Sequence, residues 1–422
     1  MFTRRAFIKS TGLALFSATV GGNPLFLNRT VQATRSLGPF EKRKILVAIF
    51  QRGAMDGLMA VTPFNDPMLM KLRPRLGMNV AQANGTEALL DLDGKFGLHP
   101  ALEPFVPLYK ERRLAVIHGV GSPDPTRSHF DAQDYMETAT PGRKSTQSGW
   151  LNRASGLLGH DATPFRAVAM TPALPRSLYG DYPALAIANL DDFGVRVPGG
   201  KSLAKAAGES FETLYEQTSQ QLLQGTGKGS FDAIKLLSKS EVQNYRPAEG
   251  VEYPRSPLGN SLRQIAQLVK SDVGLEVAFA ETIGWDTHVQ QGTVNGQFAT
   301  RAGDLSHSIT AFWKDVERYQ DDIVLMTMTE FGRTVRENGS GGTDHGRASC
   351  AFILGNAVDG GKVYGDVPAL VPEQLDDRRD LPVTTDFRSM FLEVVQKHLK
   401  ISKQDALFPG WNSEPLSFLK TS

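Results

Sequence analysis

The chain of 422 residues has a single cysteine, Cys350, which excludes an intrachain disulfide in any compartment. Placed in the apolar run Ser349-Cys350-Ala351-Phe352, it reads as a small buried hydrophobe. Excess charge is also lacking. The 46 basic and 45 acidic residues leave a net of +1. The first 33 residues hold Arg4, Arg5, Lys9 and Arg29 and no acid, so the remainder, with 42 basic and 45 acidic residues, carries −3. A nucleic-acid partner would need a concentrated basic face, and none is present. Missing too are internal repeats and any continuous apolar run of the roughly 18 residues that a bilayer crossing requires.

What is present begins with Thr3-Arg4-Arg5-Ala6-Phe7-Ile8-Lys9, a twin-arginine export pattern. A weakly apolar stretch from Thr11 to Leu27 follows, interrupted by Ser17, Gly21, Gly22, Asn23 and Pro24, and Val31-Gln32-Ala33 offers small residues for cleavage. Residues 1–33 are therefore expected to be a signal peptide read by the twin-arginine translocase. That places the mature protein in the periplasm or outside the cell, with no membrane span after cleavage. The route carries folded proteins, often around a cofactor, which hints at a metal acquired before export. Residues 34–44 form a linker.

From residue 45 to 422 the pattern is that of one α/β domain. Ile45–Phe50 reads as a buried strand ending at Gln51-Arg52-Gly53-Ala54-Met55-Asp56-Gly57. A short or kinked helix over Pro100–Arg113, limited by Pro104 and Pro107, feeds the strand Leu114–Ile117. A Gly- and Pro-bearing loop and a helix opening at Ser128 come next. Later the spacing predicts helix Ser261–Val269, strand Glu276–Ala280, helix Gln297–Tyr319, strands Ile323–Met328 and Ala351–Leu354, and helix Asp386–Leu399. Alternation of this kind predicts a doubly wound, mainly parallel sheet with helices on both faces. Between about 163 and 259 the pattern shifts to short alternating segments (Phe165–Met170, Ala184–Ala188) and polar helical stretches from Ser202 to Gln243, which read as an inserted cap.

Residues suited to chemistry gather at the expected strand ends. Asp56 is either a metal ligand at the carboxyl edge of the sheet or a turn or capping Asp. Ser128, before His129-Phe130-Asp131, is either a nucleophile at the positive end of a helix or an N-cap with Asp131 as partner, and Thr126 is a rival nucleophile. Asp286-Thr287-His288 sets a carboxylate beside an imidazole, a donor pair suited to zinc, manganese or iron. Glu330 and Arg333 close the strongest strand as a carboxylate ligand or base and an arginine fork for an anion, or else as an ordinary ion pair. Asp344 and His345 form a further acid–imidazole pair before Ala351–Leu354. His99 and His118 sit in apolar contexts and read as structural.

Arg52-Gly53-Ala54-Met55-Asp56-Gly57, Arg127-Ser128-His129-Phe130, Gly284-Trp285-Asp286-Thr287-His288, Thr329-Glu330-Phe331-Gly332-Arg333-Thr334 and Gly342-Thr343-Asp344-His345-Gly346 together resemble the ordered motifs of the domain-of-unknown-function 1501 family. These are exported bacterial proteins without an assigned activity, and the resemblance runs from about Lys44 through Phe408-Pro409-Gly410-Trp411. The family is in turn similar to the alkaline phosphatase and sulfatase superfamily, which implies a two-metal site with Asp56, Asp286, His288, the Glu330 position and His345 as ligands and Ser128 as nucleophile. Where that superfamily has Asp-His-Gly, this chain has Glu330-Phe331-Gly332, so one imidazole is missing and Asp344 is a candidate replacement. No Cys-x-Pro/Ala-x-Arg sequence is present to form a formylglycine.

The resulting expectation is an exported hydrolase of phosphate or sulfate esters, with one or two divalent ions such as zinc or manganese, Ser128 attacking and Arg333 holding the transferred group. Its substrate would be a small anionic ester or glycan. Two alternatives stand beside it: a phosphatase-like scaffold of the cell envelope that has lost catalysis, and a serine hydrolase, for which no Gly-x-Ser-x-Gly elbow surrounds Ser128.

Overall fold

The computed structural model describes residues 43–80, 88–190 and 244–420. The expected signal peptide and the polar stretch Ser202 to Gln243 lie outside the described residues. The core is a nine-stranded mixed sheet. Its strands are β1 (Ile45–Gln51), β2 (Leu114–Gly121), β3 (Ala167–Ala169), β4 (Leu185–Ala186), β5 (Val277–Thr282), β6 (Ile323–Met328), β7 (Ser349–Leu354), β8 (Val363–Tyr364) and β9 (Thr385–Asp386). The order across the sheet is β8-β2-β7-β6-β1-β5-β3-β4, with β9 pairing the far end of β2. All pairings are parallel except those of β7, which runs against both β2 and β6.

Burial on both faces explains why the strands read as continuous apolar runs. Along β1, Ile45, Val47 and Ile49 enter one core while Leu46, Ala48 and Phe50 enter the other. The first core is closed by α3 (Pro257–Lys270) and α4 (Gln297–Asp315), through residues such as Leu262, Ile265, Leu305 and Phe312. The second is closed by α2 (Trp150–Leu157) and α5 (Phe387–Glu393), where the Trp150 and Phe391 rings stack at 4.2 Å. Each such side chain contributes about 1.5–3 kcal/mol on full burial. A further helix among the described residues, α1 (His129–Thr138), begins just after the loop that leaves β2.

Four segments refine or correct the sequence reading. Ala167–Ala169 and Leu185–Ala186, expected in the inserted cap, instead extend the central sheet, because β3 pairs in register with β5 (Val168 against Ala278). The helix expected over Pro100–Arg113 is split into a 3-10 turn, Pro100–Leu102, and helix Phe105–Lys110, as its prolines require. The helix expected to run to Leu399 changes after Glu393 into a π-helical turn, Val394–His398, in which His398 Nε2 lies 2.9 Å from the carbonyl of Ile45.

This topology has one consequence for chemistry. The carboxyl ends of β1, β2, β5 and β6 lie along one edge, and because β7 is antiparallel its amino end lies there too, with Ser349 opposite Val120. The loops after Gln51, Gly121, Thr282 and Met328 and the loop before Ser349 therefore meet.

Candidate metal centre

Three of those loops deliver imidazoles to one point. His129 is the first residue of α1, His288 follows the end of β5, and His345 precedes β7. The Nε2 atom of His345 lies 3.0 Å from that of His129 and 2.9 Å from that of His288. Asp286 joins them. Its Oδ1 is 3.1 Å from His288 Nε2 and 3.3 Å from His345 Nε2, and its Oδ2 is 3.5 Å from His129 Nε2. His129, Asp286 and His345 form a metal-sized donor group, with His288 completing an N3O set.

The other ring nitrogen of each histidine is occupied. His129 Nδ1–H donates to Glu330 Oε1 at 2.8 Å, His288 Nδ1–H to Asp344 Oδ1 at 3.1 Å, and His345 Nδ1–H to the carbonyl of Arg127 at 2.9 Å. These acceptors assign the Nδ1–H tautomer to all three rings. Three Nε2 lone pairs and a carboxylate then face one another, an arrangement that repels itself unless a cation lies among them. Three imidazoles and one carboxylate suit zinc or manganese, and acceptors behind ligating histidines are what such centres use to orient them. The donor set fits a single divalent ion.

Without an ion, the donors differ in their affinity for a proton. The Glu330 hydrogen bond outweighs burial and raises the pKa of His129 above the ordinary value. Burial, together with the charges of His129 and Arg333, lowers that of His345. Burial alone would raise the Asp286 carboxyl, but Arg333 and the neighbouring histidines hold it below its usual range. Glu330 behaves alike: desolvation is overcome by hydrogen bonds from His129, Gln133 and the Gly53 N–H.

Of the residues singled out in the sequence, Asp286, His288 and His345 converge directly. Glu330 and Asp344, expected as ligands, stand one step out, bracing His129 and His288. Asn338 steadies the second brace by donating to both Asp344 Oδ1 and the His288 carbonyl. Asp56 is elsewhere. It is buried, caps the helical turn Gly57–Ala60, and its two oxygens are held by Arg73 at 2.8 and 3.1 Å. A carboxylate neutralised by a guanidinium is not offered to a metal ion.

Arg333 is likewise removed from the anion-holding role. Its guanidinium is buried and donates to the carbonyls of Ala54, Thr343, Gly53 and Trp285 and to Asp286 Oδ1. It fastens the ligand-bearing loops together, leaving none of its nitrogens for a substrate. Ser128 is the N-cap of α1, exposed, with its Oγ 3.5 Å from the Asp131 N–H; Thr126 Oγ1 accepts from the Ser128 N–H at 3.2 Å. The Arg127 carbonyl that holds His345 places both hydroxyls beside the cluster in sequence.

His129 is the member of the donor cluster that the sequence reading passed over. Its signal was present in Arg127-Ser128-His129-Phe130: His129 opens the helix after β2, at the same sheet edge as the other donors. Phe331 takes a different part. Its ring, almost fully buried, packs 4.9 Å from His129 and 5.0 Å from His345, fixing the two imidazoles from behind.

No described helix is long and apolar enough to cross a membrane. No curated protein matches the sequence. Among solved structures, the chain is similar to the C-terminal periplasmic domain of EcEptC from Escherichia coli in complex with Zn, at 10% identity, 75% coverage of this chain, 74% of that chain and a TM-score of 0.36. It is also similar to a protein in the alkaline phosphatase superfamily from Vibrio parahaemolyticus (11% identity, 78% and 64% coverage, TM-score 0.31) and to a 2-O GAG sulfatase (10%, 86% and 71%, 0.34). Residues 115–407, more than half of the chain, match the family described as Protein of unknown function (DUF1501), and the protein belongs to that family.

Proposed function

We propose that the protein is a metal-dependent hydrolase of phosphate or sulfate esters, built around one divalent ion rather than two. The observation that carries this reading is the convergence of three Nε2 atoms and the Asp286 carboxylate, each ring braced at Nδ1 by a separate acceptor. When bound, a divalent cation supplies Lewis acidity toward an ester oxygen and lowers the pKa of an oxygen nucleophile. The protein's own contribution is geometric. Arg333, Phe331, Glu330 and Asp344 hold the donors in place, and the half-exposed Asp286 and His288 leave the cluster open to solvent. The α1 amino terminus adds a positive end next to His129, where an anionic group gains from unpaired helix N–H groups. Ser128, at that terminus, is the nucleophile candidate.

A second reading, a metal-binding envelope scaffold without turnover, is favoured by one observation. The buried arginines Arg333 and Arg73 are both committed to protein partners. Elemental analysis of protein purified after native export, with assays on aryl phosphates and sulfates, separates the two. Hydrolysis with one ion per chain, lost in His345→Ala and Ser128→Ala, supports the enzyme. Metal without turnover supports the scaffold, and a chain that binds no ion defeats both. The Arg4-Arg5 pattern supports export by the twin-arginine route, which a reporter fusion to residues 1–33 tests: Arg4→Lys with Arg5→Lys should keep the reporter inside.

A further inference from the structure

Behind the metal cluster lies a second, fully buried polar layer centred on Gln291. Its Nε2–H donates to Asp56 Oδ2 at 2.7 Å. Its Oε1 accepts from two hydroxyls, Thr287 Oγ1 at 2.8 Å and Thr343 Oγ1 at 2.7 Å. Thr287 sits between Asp286 and His288, and Thr343 immediately precedes Asp344 and His345. One amide thus grips both of the loops that carry three donors and one brace. Asp56, in turn, is fixed by the buried guanidinium of Arg73, which also donates to the carbonyls of Thr334 and Val335.

We infer that Gln291 is a positioning residue of the metal centre, with Asp56 and Arg73 as its anchor, so that the acid after β1 serves the site from the third tier instead of ligating. The direction of the amide is set by chemistry. Asp56, paired to Arg73, only accepts, so Gln291 must turn its NH2 to it and its carbonyl to the threonines. That leaves each threonine hydroxyl donating, with no freedom to rotate. The Thr343 N–H also bonds to the Thr287 carbonyl at 3.2 Å, so the two loops are tied through main chain and side chain at the same level. Close approach there depends on Gly342, where a Cβ would fall 2.4 Å from the Thr287 oxygen. A network in which every member is satisfied and buried has one low-energy arrangement, and it transmits that arrangement to the residues on either side.

This inference rests on the metal-centre reading, and the test separates the two. Cobalt(II) is the probe, read by its visible absorption bands and by chelator competition. Gln291→Leu and Thr343→Val, which remove the carbonyl and one hydroxyl with little change of volume, should weaken cobalt binding about tenfold to a hundredfold and alter the bands. Thr343→Ser, which keeps the hydroxyl, should bind and absorb as the unaltered protein does. A role confined to stability would lower the melting temperature of the metal-free variants yet leave the cobalt spectrum and affinity unchanged, and that result overturns the inference. Failure of the unaltered protein to bind cobalt, zinc or manganese would instead overturn the metal-centre reading and the inference with it.

Discussion

His129 Nδ1 lies 2.8 Å from Glu330 Oε1, and this contact decides which edge of the imidazole faces the other donors. Glu330 is fully buried, so its charge acts on the ring with little screening. Glu330→Gln should lower the pKa of His129, because the hydrogen bond that raises it is weakened. It should also reduce metal affinity by about tenfold to a hundredfold. Proton NMR titration of the metal-free protein and a zinc competition assay read the two effects separately.

Arg73→Ala should be among the most damaging single changes. It leaves the Asp56 carboxylate buried without its partner, at a cost of about 3–5 kcal/mol. Urea unfolding gives the magnitude; a loss under 1 kcal/mol would mean that the pair is far better hydrated than its burial indicates.

Gly53→Ala should damage stability and metal loading together. Gly53 has φ +114°, and a Cβ there would stand 2.5 Å from the Asp286 N–H nitrogen. The backbone strain alone costs on the order of 1–3 kcal/mol. Relief by movement of the Trp285-Asp286 segment would displace a metal donor. Melting temperature and metal stoichiometry should both fall; a fall in only the first would show that the two loops move independently.

The acid limb of stability should depend on Asp315, remote from the metal cluster. Burial would raise its pKa, but Lys270, the Tyr245 and Tyr253 hydroxyls and the Ala248 N–H hold it below the usual value. A carboxyl with a depressed folded-state pKa stabilises above its unfolded value, and that contribution is lost as pH falls through the folded value. Asp315→Asn should therefore cost stability at neutral pH and flatten the decline between the ordinary aspartate range and lower pH. Denaturant midpoints measured across that window check the sign.

Much of the sheet was legible because its long strands are mostly apolar: Ile323–Met328 appears with the bounds that its composition predicts. The place of the short strands β3 and β4 was not: their alternation was visible, but that they extend the central sheet is decided by the pairing of β3 with β5 and of β4 with β3. At the site, acid–imidazole pairs pointed to Asp286, His288 and His345, which the structure brings together. What the sequence concealed was which partner each carboxylate meets. Asp56 and Glu330 both end strands and look alike in one dimension; a guanidinium from residue 73 claims the first, and an imidazole from residue 129 claims the second.

The antiparallel course of β7 has a thermodynamic corollary. It brings His345 to His129 across 216 residues of chain by pairing β7 with β2, and the full donor set, with Asp286 and His288 after β5, comes together only when the sheet from β2 through β7, β6 and β1 to β5 is in place. An ion bound there recognises no half-built sheet, so its binding free energy acts on the whole cooperative unit. At a free concentration one hundred times the dissociation constant, that amounts to about 2.7 kcal/mol. Occupancy of the centre is thus a chemical record that folding has finished.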